Sequence, residues 1–190
     1  MYLANLFMQP ELMTKTSTQY DAAVKQCKDI FMQKMKDYGT AWRVLRTSSI
    51  TDQIFIKAQR IRNIEVKGSQ KVEEDAKSEY LGIVNYSVIG LIQLGMAKDE
   101  RLEIPADEVS SLFDKYMKAS KNLMQDKNHD YGEAWREMRV SSLTDLILMK
   151  IQRIRQIEDN EGSTLISEGI DANYFDMINY AIFAVIRLDE

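Results

Sequence analysis

Tyr38–Glu65 reads YGTAWRVLRTSSITDQIFIKAQRIRNIE, and Tyr131–Glu158 reads YGEAWREMRVSSLTDLILMKIQRIRQIE. The shift between them is 93 positions, and 18 of the 28 residues are identical. The identities include Arg43/Arg136, Asp52/Asp145, Lys57/Lys150, Arg60/Arg153 and Glu65/Glu158. Packing alone would preserve hydrophobicity and let surface charge drift. Here the charges recur with the apolar positions, so the repeat is read as a duplicated functional unit.

Working outward, each copy is framed by further helical signals. Before the first, Tyr20, Ala23, Val24, Cys27, Ile30 and Phe31 recur at helical spacing from about Ser17. Before the second, Val109, Leu112, Phe113, Tyr116, Leu123 and Met124 do the same from Pro105, a residue suited to a first helical turn. Gly39 and Gly132 fall where a helix would end. Ser49-x-x-Asp52 and Ser142-x-x-Asp145 read as capping boxes opening the second helix of each unit, which runs to about Glu65 and Glu158. Gly68-Ser69 and Gly162-Ser163 punctuate the connections to third helices over 72–94 and 166–188, where the shift becomes 94. No segment alternates with a period of two. The expected fold is all-α, a tandem pseudo-twofold repeat of three-helix units packed into one helical bundle. The repeats are 17–94 and 107–188, joined by a linker over 95–106.

Composition narrows the function classes. The chain has 190 residues, and each unit of about 85 to 95 residues is marginal for an independent core, so the halves are expected to pack together. A net charge of −4 argues against bulk attraction to nucleic acid, although Arg60-Ile61-Arg62 and Arg153-Ile154-Arg155 are locally basic. One cysteine, Cys27, excludes a disulfide scaffold or a zinc knuckle. No apolar run is long enough to span a bilayer and no leader is recognisable, so the expected compartment is cytoplasmic.

Polar groups on apolar faces are the candidate site residues. On the second helix at about 100° per residue, Lys57 falls inside the stripe Ile50, Ile54, Ile61, Ile64. Lys150 falls among Leu143, Ile147, Ile154 and Ile157, with Arg60 and Arg153 at the stripe edges. Such a lysine either snorkels to water or meets an anion inside the bundle. The third helices are apolar nearly all round apart from one strip: Asp75, Glu79, Asn85 and Tyr86 in the first copy, Asp176, Asn179 and Tyr180 in the second. Glu79 aligns with Asn173 and Gly82 with Asp176, so each half keeps one acid of an acid-x-x-acid pair. Such an acid can help hold a hard divalent ion or pair with the lysine. Trp42 and Trp135 are read as core anchors or contacts between the halves, with base-stacking faces as the further alternative. Asp52 and Asp145 are read as helix-capping acids at the positive end of the dipole.

The K-x-x-DYG-x-AW-R stretch, the K-x-Q-R-I segment and the Asp-x-x-Asn-Tyr-Ala third helix resemble the nucleotide modification associated domain family of bacteria and phages. The resemblance covers Ser17–Leu94 and Asp107–Leu188. That family is in turn distantly similar to the all-α NTP pyrophosphatases of the MazG and dimeric dUTPase group. Those enzymes bind Mg²⁺ through an E-x-x-E helix and an E-x-x-D helix, and work as dimers with sites between subunits. This sequence departs from them: Lys57 and Arg60 stand where E-x-x-E would, and the E-x-x-D site is split into Glu79-x-x-Gly82 and Asn173-x-x-Asp176.

The resemblance implies a MazG-like bundle that binds a nucleotide or another phosphorylated small molecule, with Mg²⁺ as cofactor and a divergent triphosphate pyrophosphatase as the fullest form of the activity. Lys57, Arg60, Lys150 and Arg153 would contact phosphate. Asn85, Tyr86, Asn179 and Tyr180 would position the ligand, and Glu79 and Asp176, with Glu65 or Glu158, would hold the metal. A tandem repeat would reproduce the dimer within one chain, or the chain would itself pair as a homodimer. The alternative is a non-catalytic helical scaffold for a protein partner, in which Lys57 pairs with Glu79 and Lys150 with Asp176.

Overall fold

The computed structural model describes residues 10–68, 75–162 and 168–190. They form six α-helices: α1 (Pro10–Tyr38), α2 (Thr47–Lys67), α3 (Ala76–Gly95), α4 (Ala106–Tyr131), α5 (Val140–Asp159) and α6 (Ile170–Asp189). A 3₁₀ turn, Ala41–Val44 or Ala134–Glu137, separates the first and second helices of each half. The all-α, duplicated architecture is therefore the one the periodicities predict. Ser69, Ser163 and the expected helix starts at 72 and 166 lie outside the described residues.

α3 and α6, the most apolar helices, pack on each other at the centre. α2 flanks α3 and α5 flanks α6, while α2 and α5 also meet; α1 and α4 lie against the central pair and each other. A single core results, with Tyr20, Ile54, Ile61, Ile83, Phe113, Ile147, Tyr174 and Ile182 all fully buried.

Polar contacts exchanged between the halves come in matched pairs, which marks the pseudo-twofold relation. Thr51 bonds the Tyr174 hydroxyl at 2.8 Å and Thr144 bonds that of Tyr80 at 2.6 Å. Lys28 pairs with Asp114 and Lys121 with Asp21, both at 2.6 Å. Arg155 pairs with Asp52 at 2.7 Å, and Arg62 approaches Asp145 at 4.0 Å.

These last contacts correct the capping-box reading. Arg46 and Arg139, in extended conformation, are the residues that precede α2 and α5, and neither helix has a side-chain N-cap bond. Ser49 and Ser142 lie inside the first turn, their amides donating to the Arg46 and Arg139 carbonyls at 3.0 Å. Asp52 and Asp145 thus sit in the second turn, inside α2 and α5, where they reach across to the other half. Asp75 is likewise corrected: it is the N-cap of α3, accepting from the Ser78 amide at 2.8 Å, and does not join the strip of Glu79. α1 starts at Pro10, earlier than Ser17, and Pro105 precedes the first turn of α4.

Gly39 and Gly132 are both left-handed, with φ of 56° and 64°. At these positions the first helix of each unit ends, Gly132 being the C-cap of α4. Each 3₁₀ turn is then fastened by one side chain near the end of the third helix. Gln93 donates to the carbonyls of Arg43 and Leu45, and Arg187 to those of Arg136 and Met138. The turns are thereby held over the flanks of α3 and α6.

Candidate functional site

The first repeat encloses a cavity of about 550 Å³ between the end of α1, the first 3₁₀ turn and α3. Phe31, Met35, Trp42, Leu45 and Ile89 give it an apolar wall, and Tyr38 and Tyr86 add phenolic rings. Its polar lining includes Lys34, Lys57, Ser78, Glu79 and Asn85. Four residues singled out from sequence, Lys57, Glu79, Asn85 and Tyr86, therefore converge on one space.

Lys57 meets an anion inside the bundle, and that anion is Glu79. Its ammonium lies 3.1 Å from one Glu79 oxygen while Arg60 bonds the other. The ammonium also stands 5.9 Å from the centre of the Tyr86 ring. The Lys57 stem runs across Gly82: a Cβ there would lie 2.8 Å from its Cε. The missing side chain at Gly82 is thus what lets lysine and Glu79 meet.

The second repeat uses the same lysine differently. Lys150, 5 % exposed, bonds Asp176, 4 % exposed, and Lys127 closes on the other Asp176 oxygen at 2.5 Å. Burial opposes the charge on Lys127, but its bond to Asp176 holds its pKa above the ordinary lysine value. Arg153 is exposed and makes no part of this triad. Burial, with the Asp176 charge, raises the pKa of the half-buried Tyr180 phenol. Trp135 is buried and stacks on Phe183, ring centres 4.2 Å apart and 4° from parallel. In the first repeat the corresponding residues are the half-buried Trp42 and Ile89, both lining the cavity.

The metal expectations find less support in the geometry. Glu79 and Asp176 are each answered by two cations of their own half. Glu65 accepts from Thr144 at 3.3 Å beside Tyr80, and burial raises its pKa. Burial, then Asp52, raises that of Glu158. Both glutamates therefore belong to the contact between halves, not to the cavity. Among the described residues no three His, Cys, Asp or Glu side chains converge as a metal site.

Two contributors were not singled out from the sequence. Lys34 lines the cavity and Lys127 holds Asp176; both are the lysine that opens K-x-x-DYG. Their recurrence inside the motif was the available signal. Arg43 and Arg136 fasten the 3₁₀ turns to other segments. Arg43 bonds the Gln93 side chain and the carbonyls of Arg101 and Asp99, and Arg136 bonds Glu133, Thr16, Gln19 and Glu190.

Fold and site together define an all-helical tandem-repeat protein with an apolar-walled, lysine-edged cavity in its first unit. The family model for nucleotide modification associated domain 1 matches residues 34–94 and 127–188, and the chain belongs to that family. The matched segments begin at Lys34 and Lys127, the two lysines just described. No curated protein and no solved structure matches the chain. No helix among the described residues is long and apolar enough to cross a membrane.

Proposed function

We propose that the chain binds a nucleotide, or a phosphorylated small molecule of similar size, in the first-repeat cavity, with the second repeat as its structural counterpart. The cavity carries this reading. Its 550 Å³ lies in the range of small-molecule sites, roughly 300 to 1,000 Å³. Trp42, Tyr38 and Tyr86 offer ring faces to a base, and Lys34 and Lys57 offer point charges to phosphate. The reading is one of recognition. Glu79 is already engaged by Lys57 and Arg60, so Mg²⁺ would enter with the nucleotide and not on a cage of protein carboxylates. A cytoplasmic nucleotide pool is the ligand source it implies. A monomer suffices, because the second repeat supplies the helical partner that a second subunit would provide.

Isothermal titration with deoxynucleoside mono- and triphosphates, each with and without Mg²⁺, tests the proposal. The expected result is saturable binding of at least one nucleotide. Lys34 is exposed, so Lys34→Glu should leave melting unchanged and weaken binding about tenfold, or about 1.4 kcal/mol. Absence of binding by the wild type at millimolar nucleotide overturns the proposal.

A second reading, a helical scaffold for a protein partner, is favoured by one observation. Asp176 is buried and bonded on one oxygen by Lys127 and on the other by Lys150, as in a purely structural ion triad. The same titration separates the two, since a scaffold predicts no nucleotide binding.

A further inference from the structure

Four lysines occupy two pairs of corresponding places: Lys34 with Lys127, and Lys57 with Lys150. In the second repeat both lysines close on one carboxylate. Lys127 bonds one Asp176 oxygen at 2.5 Å, and Lys150 bonds the other. Asn173, the counterpart of Glu79, turns back to the start of α6, its amide donating to the Gly169 carbonyl at 2.8 Å.

The first repeat keeps the two lysines and lacks that carboxylate. Gly82 stands in place of Asp176. Lys57 takes Glu79 instead, three residues earlier, with Arg60 on the second oxygen. Lys34 does not share that acid, and among the described residues it forms no ion pair. Lys34, Lys57 and Gly82 all line the cavity. A Cβ built on Gly82 would stand 3.1 Å from the Lys57 ammonium, so a group over Gly82 lies within its reach. The place that the Asp176 side chain fills in the second repeat thus borders the cavity in the first.

We infer that the ligand's phosphate takes, in the first repeat, the place that the Asp176 carboxylate holds in the second, bridging Lys34 and Lys57 over Gly82. This rests on the nucleotide-binding reading above and adds where the phosphate sits and which residue admits it. Gly82 is the specificity-determining position. Its missing side chain leaves the two ammonium groups to an outside oxyanion, to which each gives a charge-assisted hydrogen bond. Asp176 is the same anion built into the chain, so the second repeat is closed to phosphate.

The four common deoxynucleosides and their 5′-monophosphates, titrated calorimetrically without Mg²⁺, test the inference. Wild type should bind at least one monophosphate about tenfold more tightly than its nucleoside. Glu79→Asn/Gly82→Asp gives the first repeat the acid placement of the second. It should melt within about 4 °C of wild type and lose the preference for phosphate, with nucleoside binding retained. Glu79→Asn/Gly82→Asn adds similar bulk without the charge and should keep the preference. Lys34→Gln, an exposed change that leaves the core untouched, should lower the preference with melting unchanged. Equal affinity of wild type for monophosphates and nucleosides overturns this inference and leaves nucleotide binding standing. An equal loss in the two double variants, or a preference that survives Lys34→Gln or Glu79→Asn/Gly82→Asp, also overturns it. Absence of binding by every monophosphate overturns both.

Discussion

Lys57 and Lys150 show how one residue position serves two different acid placements. On α6 the acid stands at Asp176, directly under Lys150. On α3 that position is Gly82, and the acid lies three residues earlier at Glu79. The lysine stem lies over Gly82 and its ammonium reaches one turn further. Removing Asp176 should therefore leave Lys150 buried and uncompensated. Asp176→Leu alone is expected to cost about 3 kcal/mol in urea unfolding, while Lys150→Met/Asp176→Leu should cost less than Asp176→Leu. The sequence made these lysines visible because a cation inside an apolar stripe demands a partner. Lys34 and Lys127 were harder to see. They occupy the exposed end of a helix, where a lysine needs no explanation until the fold brings it beside a cavity or a buried aspartate.

At the scale of elements, the contact between α2 and α5 gathers groups whose titration opposes folding. Burial raises the pKa of Glu158 and of Glu65, and one Glu158 oxygen is buried without a hydrogen-bond partner. A carboxyl whose folded pKa exceeds its unfolded value favours the fold while protonated. That contribution is lost as pH rises from the unfolded value, 4.5, through the folded one. Glu158→Gln should therefore raise the melting temperature at pH 7 and leave it nearly unchanged at pH 4, as followed by circular dichroism. This contact also explains the misread helix starts. Ser-x-x-Asp has the composition of a cap, but the chain enters α2 and α5 from extended arginines fixed by the preceding 3₁₀ turn. The aspartates are then carried out to the opposite half. A local motif could not reveal a partner about a hundred residues away.

For the whole molecule, the duplicated charge has two meanings that sequence alone could not separate. Asp52/Asp145, Arg62/Arg155, Lys28/Lys121 and Asp21/Asp114 recur because the halves exchange them across the pseudo-twofold relation. The Lys57/Lys150 pair recurs within each half. The all-helical repeat was legible because apolar periodicity and helix-ending glycines act locally. The presence of a cavity in the first unit was not, because its wall depends on how Trp42 and Trp135 pack, and both are tryptophan. Since α3 and α6 bury their faces on each other, neither half should stand alone. A fragment spanning 106–190 is expected to lack a cooperative thermal transition, monitored by near-ultraviolet circular dichroism against the full chain.

The stacking of Trp135 on Phe183 has an optical consequence. The chain holds two indoles in unlike surroundings: one clamped between a phenyl ring and the Arg136 guanidinium 4.4 Å away, the other half-exposed at a cavity wall. They divide the intrinsic fluorescence into a reporter of the second repeat's packing and a reporter of the cavity wall. With Trp135→Phe the emission belongs to Trp42 and the cavity, and with Trp42→Phe it belongs to the folded second repeat. The duplication thus supplies, inside one molecule, both a signal and the reference against which to read it.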